Sequence, residues 1–199
     1  MSWSEGKIAR AISVQTLAKK CVVLVDRCNW TGYECDVLAV TTDLRIIDVE
    51  VKISRSDFKA DAAKDKWWHR FGSVRTGEDP ATGRTVYSTP EPRHRDWPPK
   101  VWKHYVAMPR DLWDDALFEF MPSPKSGLLL VSEQRNSVAP IVVHCARRAT
   151  PNKDAGRLKP EHVMDIASLA NLRMWEAYKA ADAARSDAEH WRQQMKAAA

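Results

Sequence analysis

Side-chain alternation over residues 46–53 is the tightest constraint in this 199-residue chain. Ile47, Val49, Val51 and Ile53 occupy every second position, and Asp48, Glu50 and Lys52 fill the positions between them. Successive side chains of a strand point to opposite faces, so the segment predicts a strand with one apolar and one ionic face. Unpaired, an acid or an ammonium on a buried strand is costly. Asp36, in the preceding apolar run, completes a carboxylate–carboxylate–ammonium cluster with Glu50 and Lys52. The plain alternative is a surface ion network on an edge strand. The strongly apolar residues around all three weigh against it, because they predict a central strand.

Such a cluster has the composition that a magnesium-dependent phosphodiester hydrolase requires. Magnesium takes oxygen ligands and keeps several waters, so one or two carboxylates suffice. Asp36 and Glu50 are the candidate metal carboxylates, with the backbone carbonyl of Val51 as a further oxygen. The metal would lower the pKa of a bound water and offset charge on the phosphate. Lys52 would either orient the attacking water or stabilise the transition state.

Asp36 followed by Glu50-Val51-Lys52 resembles the split Asp…Glu-x-Lys signature of the PD-(D/E)XK nuclease superfamily. The pattern is most similar to its MmcB-like, DNA-repair-associated branch. The resemblance runs through Cys35-Asp36-Val37-Leu38-Ala39-Val40, Val49-Glu50-Val51-Lys52-Ile53-Ser54, Asp57-Phe58, Asp61 and Lys66-Trp67. It continues in Tyr105-Val106-Ala107-Met108-Pro109 and Gly127-Leu128-Leu129-Leu130-Val131. Cys35 stands where the signature has its proline. The resemblance spans about residues 5–148, with an inserted segment at about 72–100. It implies an α/β, restriction-endonuclease-like core and a Mg2+-dependent endonuclease acting on DNA, with Mn2+ able to substitute. It also implies a role in DNA repair, recombination or mobile-element processing. In several nucleases of this type a first-helix glutamate reaches the metal site, which makes Glu5 a further candidate acid beside its simpler role as a capping carboxylate. Glu34, two residues before Asp36, is another. Asp48 reads as solvent-facing.

The expected order is helix, three-strand meander, helix, strand, an α/β sandwich. Ser2 and Glu5 have capping-box spacing before a helix to about Lys20. Strands are expected at Cys21–Val25, at 33–41 and at about 45–53. Ser54 or Ser56 caps a helix to about Phe71. Strands follow from Val101 to Met108, at 127–132 and at 140–146. The domains are thus a nuclease-like domain over 1–148, a linker at 149–159 and a helical extension over 160–199. In the extension Val163, Ile166, Leu169 and Leu172 form a stripe followed by Trp175. Those C-terminal helices would pack on the core, pair with a second chain or bind another protein.

The insertion mixes cations with aromatic rings. Arg70, Arg75, Arg84, Arg93, Arg95, Trp97 and Lys100 are candidate DNA contacts, because arginines meet phosphates and tryptophans stack on unpaired bases. Trp67 and Trp102 read as core. A net charge of +5 agrees with a polyanionic partner. No apolar run reaches the roughly 20 residues of a membrane span, so a cytoplasmic protein with no membrane partner is expected. Cys21, Cys28, Cys35 and Cys145 lack zinc spacing and read as free thiols. A rival function is a catalytically silent nuclease fold that binds DNA or recruits a partner. A third is an interaction protein that blocks another machine.

Overall fold

The computed structural model describes residues 3–134 and 140–197. Ser2, the expected first cap, lies outside them. Ser4 takes its place, its hydroxyl accepting from the Lys7 amide at 3.4 Å, and α1 runs over Glu5–Ile12. The helix then widens into a π turn, Ser13–Leu17, instead of continuing to Lys20. That turn lets the Gln15 carboxamide act as a strand neighbour. Its Nε2 donates to the Ile141 carbonyl at 2.6 Å, and its Oε1 accepts from the Val143 amide at 3.1 Å. An otherwise open sheet edge is thereby partly blunted.

Strands β1 (Cys21–Cys28), β2 (Cys35–Thr41) and β3 (Ile46–Val51) form the expected antiparallel meander. Ser54 caps α2, Arg55–Ala60, by accepting from the Asp57 amide at 3.2 Å. The helix expected to reach Phe71 stops there and gives way to short 3-10 turns at Asp61–Ala63 and Asp65–Trp67. Lys64 turns extended between them, and the reason is ionic. Lys64 and Lys66 fold back onto Glu50 of β3, and Lys64 also onto Asp61 in the turn after α2.

The insertion supplies β4 (Trp68–His69), a solvent-exposed hairpin of β5 (Val74–Glu78) and β6 (Thr85–Ser88), and β7 (Arg93–His94), which pairs with β4. Strands β8 (Val101–Pro109), β9 (Gly127–Glu133) and β10 (Ile141–Arg147) complete a six-stranded sheet of order β1-β2-β3-β8-β9-β10. It is mixed: β3, β8 and β9 are parallel and the other pairings antiparallel.

On one face of the sheet Ile8, Ile12 and Leu17 pack against Val37, Ala39, Ile47, Val49 and Val51. Ile53 is exposed, because β3 ends two residues earlier. The other face carries two apolar clusters. One joins Val25, Leu38, Val40, Ile46 and Val101 to Ile166, and the other joins Phe58 to Val106, Met108, Leu128 and Leu130.

Residues 149–159, expected as a linker, hold no helix or strand but are fastened to the body. The Asn152 amide donates to the Trp102 carbonyl at 2.7 Å, Leu158 to Leu44 at 2.7 Å and Thr150 to Lys125 at 2.9 Å. One helix, α3 (Pro160–Ala197), replaces the expected helices. Its buried stripe ends early: Ile166 is sealed, whereas Leu169, Leu172 and Trp175 are exposed. The core they would cover reaches no further than the first turns.

Gly127 opens β9 directly beside Tyr105. A Cβ there would lie 2.4 Å from two Tyr105 ring carbons and 2.7 Å from the Ala149 amide nitrogen. Gly127→Ala should therefore destabilise the fold by about 2 kcal/mol and lower the melting temperature by roughly 4–8 °C. An unchanged melting curve would show that this approach is not tight.

Candidate functional site

Between the two apolar clusters, on the same sheet face, lies a block of buried charge. Asp48 and Glu50 reach it from β3, Lys52 from just beyond β3, and Asp61, Lys64 and Lys66 from the turns after α2. Glu50 and Lys52 are each 2 % exposed and Asp48 is 1 % exposed. Asp48 is therefore an interior group, not the solvent-facing acid expected from its distance to Lys52. Strand alternation puts all three on one face, between two apolar clusters.

Glu50 is the hub. Its Oε1 lies 2.5 Å from the Lys66 ammonium, and its Oε2 lies 3.2 Å from Lys52 and 3.4 Å from Lys64. Asp61 Oδ1 is 2.8 Å from both Lys52 and Lys64. At the rim, Asp57 stands 3.9 Å from Lys52. Burial pushes Glu50 and Asp61 upward, but the ammonium charges, Lys66 foremost, outweigh it and hold both below the usual carboxylate range. Burial likewise opposes the Lys66 charge, and Asp48 and Glu50 overcome it, raising its pKa. Asp48 differs. Burial, with the charge of Glu50, pushes it up to about 7 against the pull of Lys66.

Asp36 stands at the edge of this block, half-buried at the start of β2. Its Oδ2 accepts from the Val51 amide at 2.7 Å. Burial first, then the Glu50 charge, pushes it up to about 6, with a smaller contribution from Glu5. Asp36, Glu50, Val51 and Lys52 are thus brought together. Glu5, exposed in the first turn of α1, is close enough for Asp36 to feel its charge. Glu34 is exposed and outside the network.

The insertion residues are dispersed. Arg70 pairs with Asp65 at 2.6 Å and Arg75 with Glu78 at 2.5 Å. Arg95 bonds the His69 ring at 2.7 Å, and Trp97 donates to the Thr150 carbonyl at 2.9 Å. Lys100 sits 4.7 Å over the Trp30 ring, and Arg93 lies 5.5 Å over Phe71. Arg84 is exposed. Trp67 is sealed in the core, while Trp102 is half-buried. The four cysteines are free.

Reading the sequence missed Asp48, Asp61, Lys64, Lys66 and His104 as members of the site. Asp61 and Lys66 lie within the motif that carries the family resemblance, but neither has a periodicity that marks it as buried. His104 stands beside Asp48 across the β3–β8 ladder. Its Nδ1 shares a 2.8 Å hydrogen bond with Ser126, while its Nε2 is buried without a partner. Its ring meets Trp67 edge-on at 4.8 Å, and Trp67 Nε1 donates to Asp61 at 3.4 Å.

No protein-family model matches the chain, and no curated protein matches it. Among solved structures it is similar to SPO1766, a protein of unknown function from Silicibacter pomeroyi. That likeness has a TM-score of 0.51 at 17 % identity and covers 92 % of this chain and 94 % of the other. It supports the mixed α/β fold and carries no activity with it. No helix among the described residues is long and apolar enough to cross a membrane.

His104 makes the network acid-sensitive. Burial foremost, then Lys66, lowers its pKa to about 3, against about 6.5 in an unfolded chain. Between those values the unfolded state holds the extra proton, so stability rises with pH. The wild type should keep this contribution above pH 6.5 and lose it progressively towards pH 3. His104→Gln should remove that rising contribution, so that the variant's melting temperature gains less between pH 3 and 6.5 than the wild type's, Asp48 and Asp36 acting in the opposite sense in both. A parallel curve would remove His104 as the source.

Proposed function

We propose that this chain is a metal-dependent deoxyribonuclease with a PD-(D/E)XK, restriction-endonuclease-like core, cutting DNA internally by attack of water on a phosphodiester. The observation that carries the reading is the convergence of Asp36, Glu50 and Lys52 around the Val51 peptide unit. A half-buried carboxyl raised to about 6 beside a second carboxylate is the electrostatic condition that a divalent cation relieves.

The donor set fits Mg2+, with Mn2+ as its substitute. Asp36, Glu50 and the Val51 carbonyl would hold it, and water would complete the shell. The ion would activate a bound water and offset phosphate charge. The chain's own residues do the rest. The Val51 amide fixes the Asp36 carboxylate, Lys66 fixes Glu50, and Asp61 aims the Lys52 ammonium beside Glu50. Lys64, partly exposed at the mouth, presents a cation to an approaching phosphate. Arg84 and Arg93 remain exposed for the DNA backbone. A role in intracellular DNA repair, recombination or mobile-element processing is what the family resemblance implies, with the free length of α3 open to a second copy or another protein.

A second reading has an observation of its own. Both Glu50 oxygens already meet ammonium groups, and no group of three or more His, Cys, Asp or Glu among the described residues is placed to hold a metal. A carboxylate whose two oxygens are already held by ammonium groups is poorly placed to take a cation, and that favours a fold that binds DNA without cutting it.

Cleavage of labelled duplex, single-stranded, nicked and branched DNA separates the two readings. Each substrate is incubated with Mg2+, Mn2+ or chelator. Metal-dependent cutting should fall by about 10²-fold or more in Lys52→Ala and Asp36→Asn, with melting curves verifying that both variants fold. DNA binding without cutting in any metal, unchanged in Asp36→Asn, would decide for the silent fold.

A further inference from the structure

A second concave site lies on the opposite face of the sheet, and nothing in the proposed nuclease chemistry uses it. It is a groove of about 500 Å³ floored by Leu17, Ile47 and Leu129. Alternation places it there: Ile47 and Glu50 project from opposite faces of β3, as do Lys103 and His104 on β8. The groove has the size and the mix of apolar floor and few polar groups found in small-molecule sites.

Its walls are cationic and aromatic. Lys20, Lys103 and Arg148 converge on it beside Trp102 and Tyr105. None of the three cations has an ion pair among the described residues. The acid on the lining, Asp43, is committed to Arg45 at 3.2 Å and to the Thr41 hydroxyl at 2.6 Å. Burial first, then the charges of Lys20 and Arg148, lowers the Lys103 pKa. The groove therefore holds uncompensated positive charge.

The sheet is deformed around this groove. Its ladder slips between Cys21 and Val23, between Ile46 and Ile47, and between Cys145 and Arg147. All three irregularities border the pocket. The middle one inserts Trp102 as an extra residue between Val101 and Lys103, so that neighbouring Trp102 and Lys103 both line it. Bulges re-aim side chains and are enriched beside functional sites.

We infer that this groove binds a nucleotide, a phosphomonoester joined through a sugar to a planar base, with the phosphate between Lys20, Lys103 and Arg148 and the base beside Trp102 and Tyr105. Arginine and lysine supply charge-assisted donors for phosphate, and aromatic side chains supply a sequence-tolerant stacking wall. The phosphomonoester belongs either to a free mononucleotide or to the 5′ end of a nucleic-acid strand.

Cys145 provides the readout. It lines the groove and is exposed, whereas Cys28 and Cys35 are buried and Cys21 is half-buried with its thiol pushed up to about 11, chiefly by burial. Alkylation of Cys145 in the full chain is followed by peptide mass spectrometry with AMP, a 5′-phosphorylated oligonucleotide, its 5′-hydroxyl counterpart or inorganic phosphate. A ligand at about ten times its Kd leaves roughly a tenth of sites open, so alkylation should slow about tenfold. Lys103→Gln and Arg148→Gln should abolish the protection, and Asp36→Asn, on the nuclease-like site, should leave it intact. Protection by AMP assigns a free nucleotide. Protection by the 5′-phosphorylated strand alone, and not its 5′-hydroxyl counterpart, assigns a strand end. Equal protection by inorganic phosphate, no protection by any probe, or protection that persists in both groove variants overturns the inference.

Discussion

Glu50 and the three ammonium groups around it set the terms for everything else on their face of the sheet. Removing a carboxylate from water costs several kcal/mol, and only close pairing with further hydrogen bonding offsets that. Glu50 obtains it from Lys52, Lys64 and Lys66, and two of those lysines also serve Asp61. To bring Lys64 and Lys66 back, the chain leaves α2 after a turn and a half. The two apolar clusters on this face stand apart because the ion network fills the space between them. Replacing buried ion pairs by well-packed apolar residues is often neutral or stabilising, so this lattice fixes where the chain runs more than it adds to stability.

The two sides of the sheet answer different demands. The ionic face is regular: Asp48, Glu50 and Lys52 keep strict alternation, and His104 stands opposite Asp48 in an unbroken stretch of the β3–β8 ladder. Regularity serves it, since buried charges tolerate little misplacement. The face beneath α1 is regular only where Ile8 and Ile12 cover it. Past the π turn, at the far end of the sheet from Lys52, the ladders slip and Lys20, Lys103 and Arg148 have no ion pair among the described residues, Lys103 lying 4.3 Å over the Trp102 ring. Well-ordered pairing on one face and bulges on the other arise from the same strands, because a bulge moves the residues at one end without disturbing the ladder further along.

Helix α3 depends little on either face. Only its first half lies beside β1, packing through Val163, Ile166 and Ala170 and then bordering a cleft with Arg173, Met174, Ala177 and Ala180. Beyond Ala180 the 38-residue helix extends about 25 Å at the ordinary rise per residue. Alanines and the Arg173–Glu176 and Arg185–Asp182 pairs support it locally, each pair worth a few tenths of a kcal/mol at ~0.2–0.5. Local propensity thus accounts for its continuity without any second layer of protein.

This division explains what could be read from residues alone. The meander, the β8 strand and the two added strands are legible because strands of a covered sheet read as near-continuous apolar runs bounded by turns. Asp36, Glu50 and Lys52 were legible because they interrupt such runs. Asp48 interrupts one too, yet it was assigned to solvent, since sequence distance from Lys52 says nothing of Lys66 arriving from another segment. Lys64 and Lys66 follow an alanine-rich, helix-favouring stretch, and local propensity predicts that they continue the helix. What overrides it is Glu50, 14 and 16 residues earlier, whose need for charge exceeds the few tenths of a kcal/mol per residue (~0.5) that separate helix from turn. Arg70 and Arg75 fail in the reverse direction. They look free in sequence, but acids five and three residues away already hold them. A charge is legible in a sequence only when its partner is local or when its neighbours forbid it to be exposed.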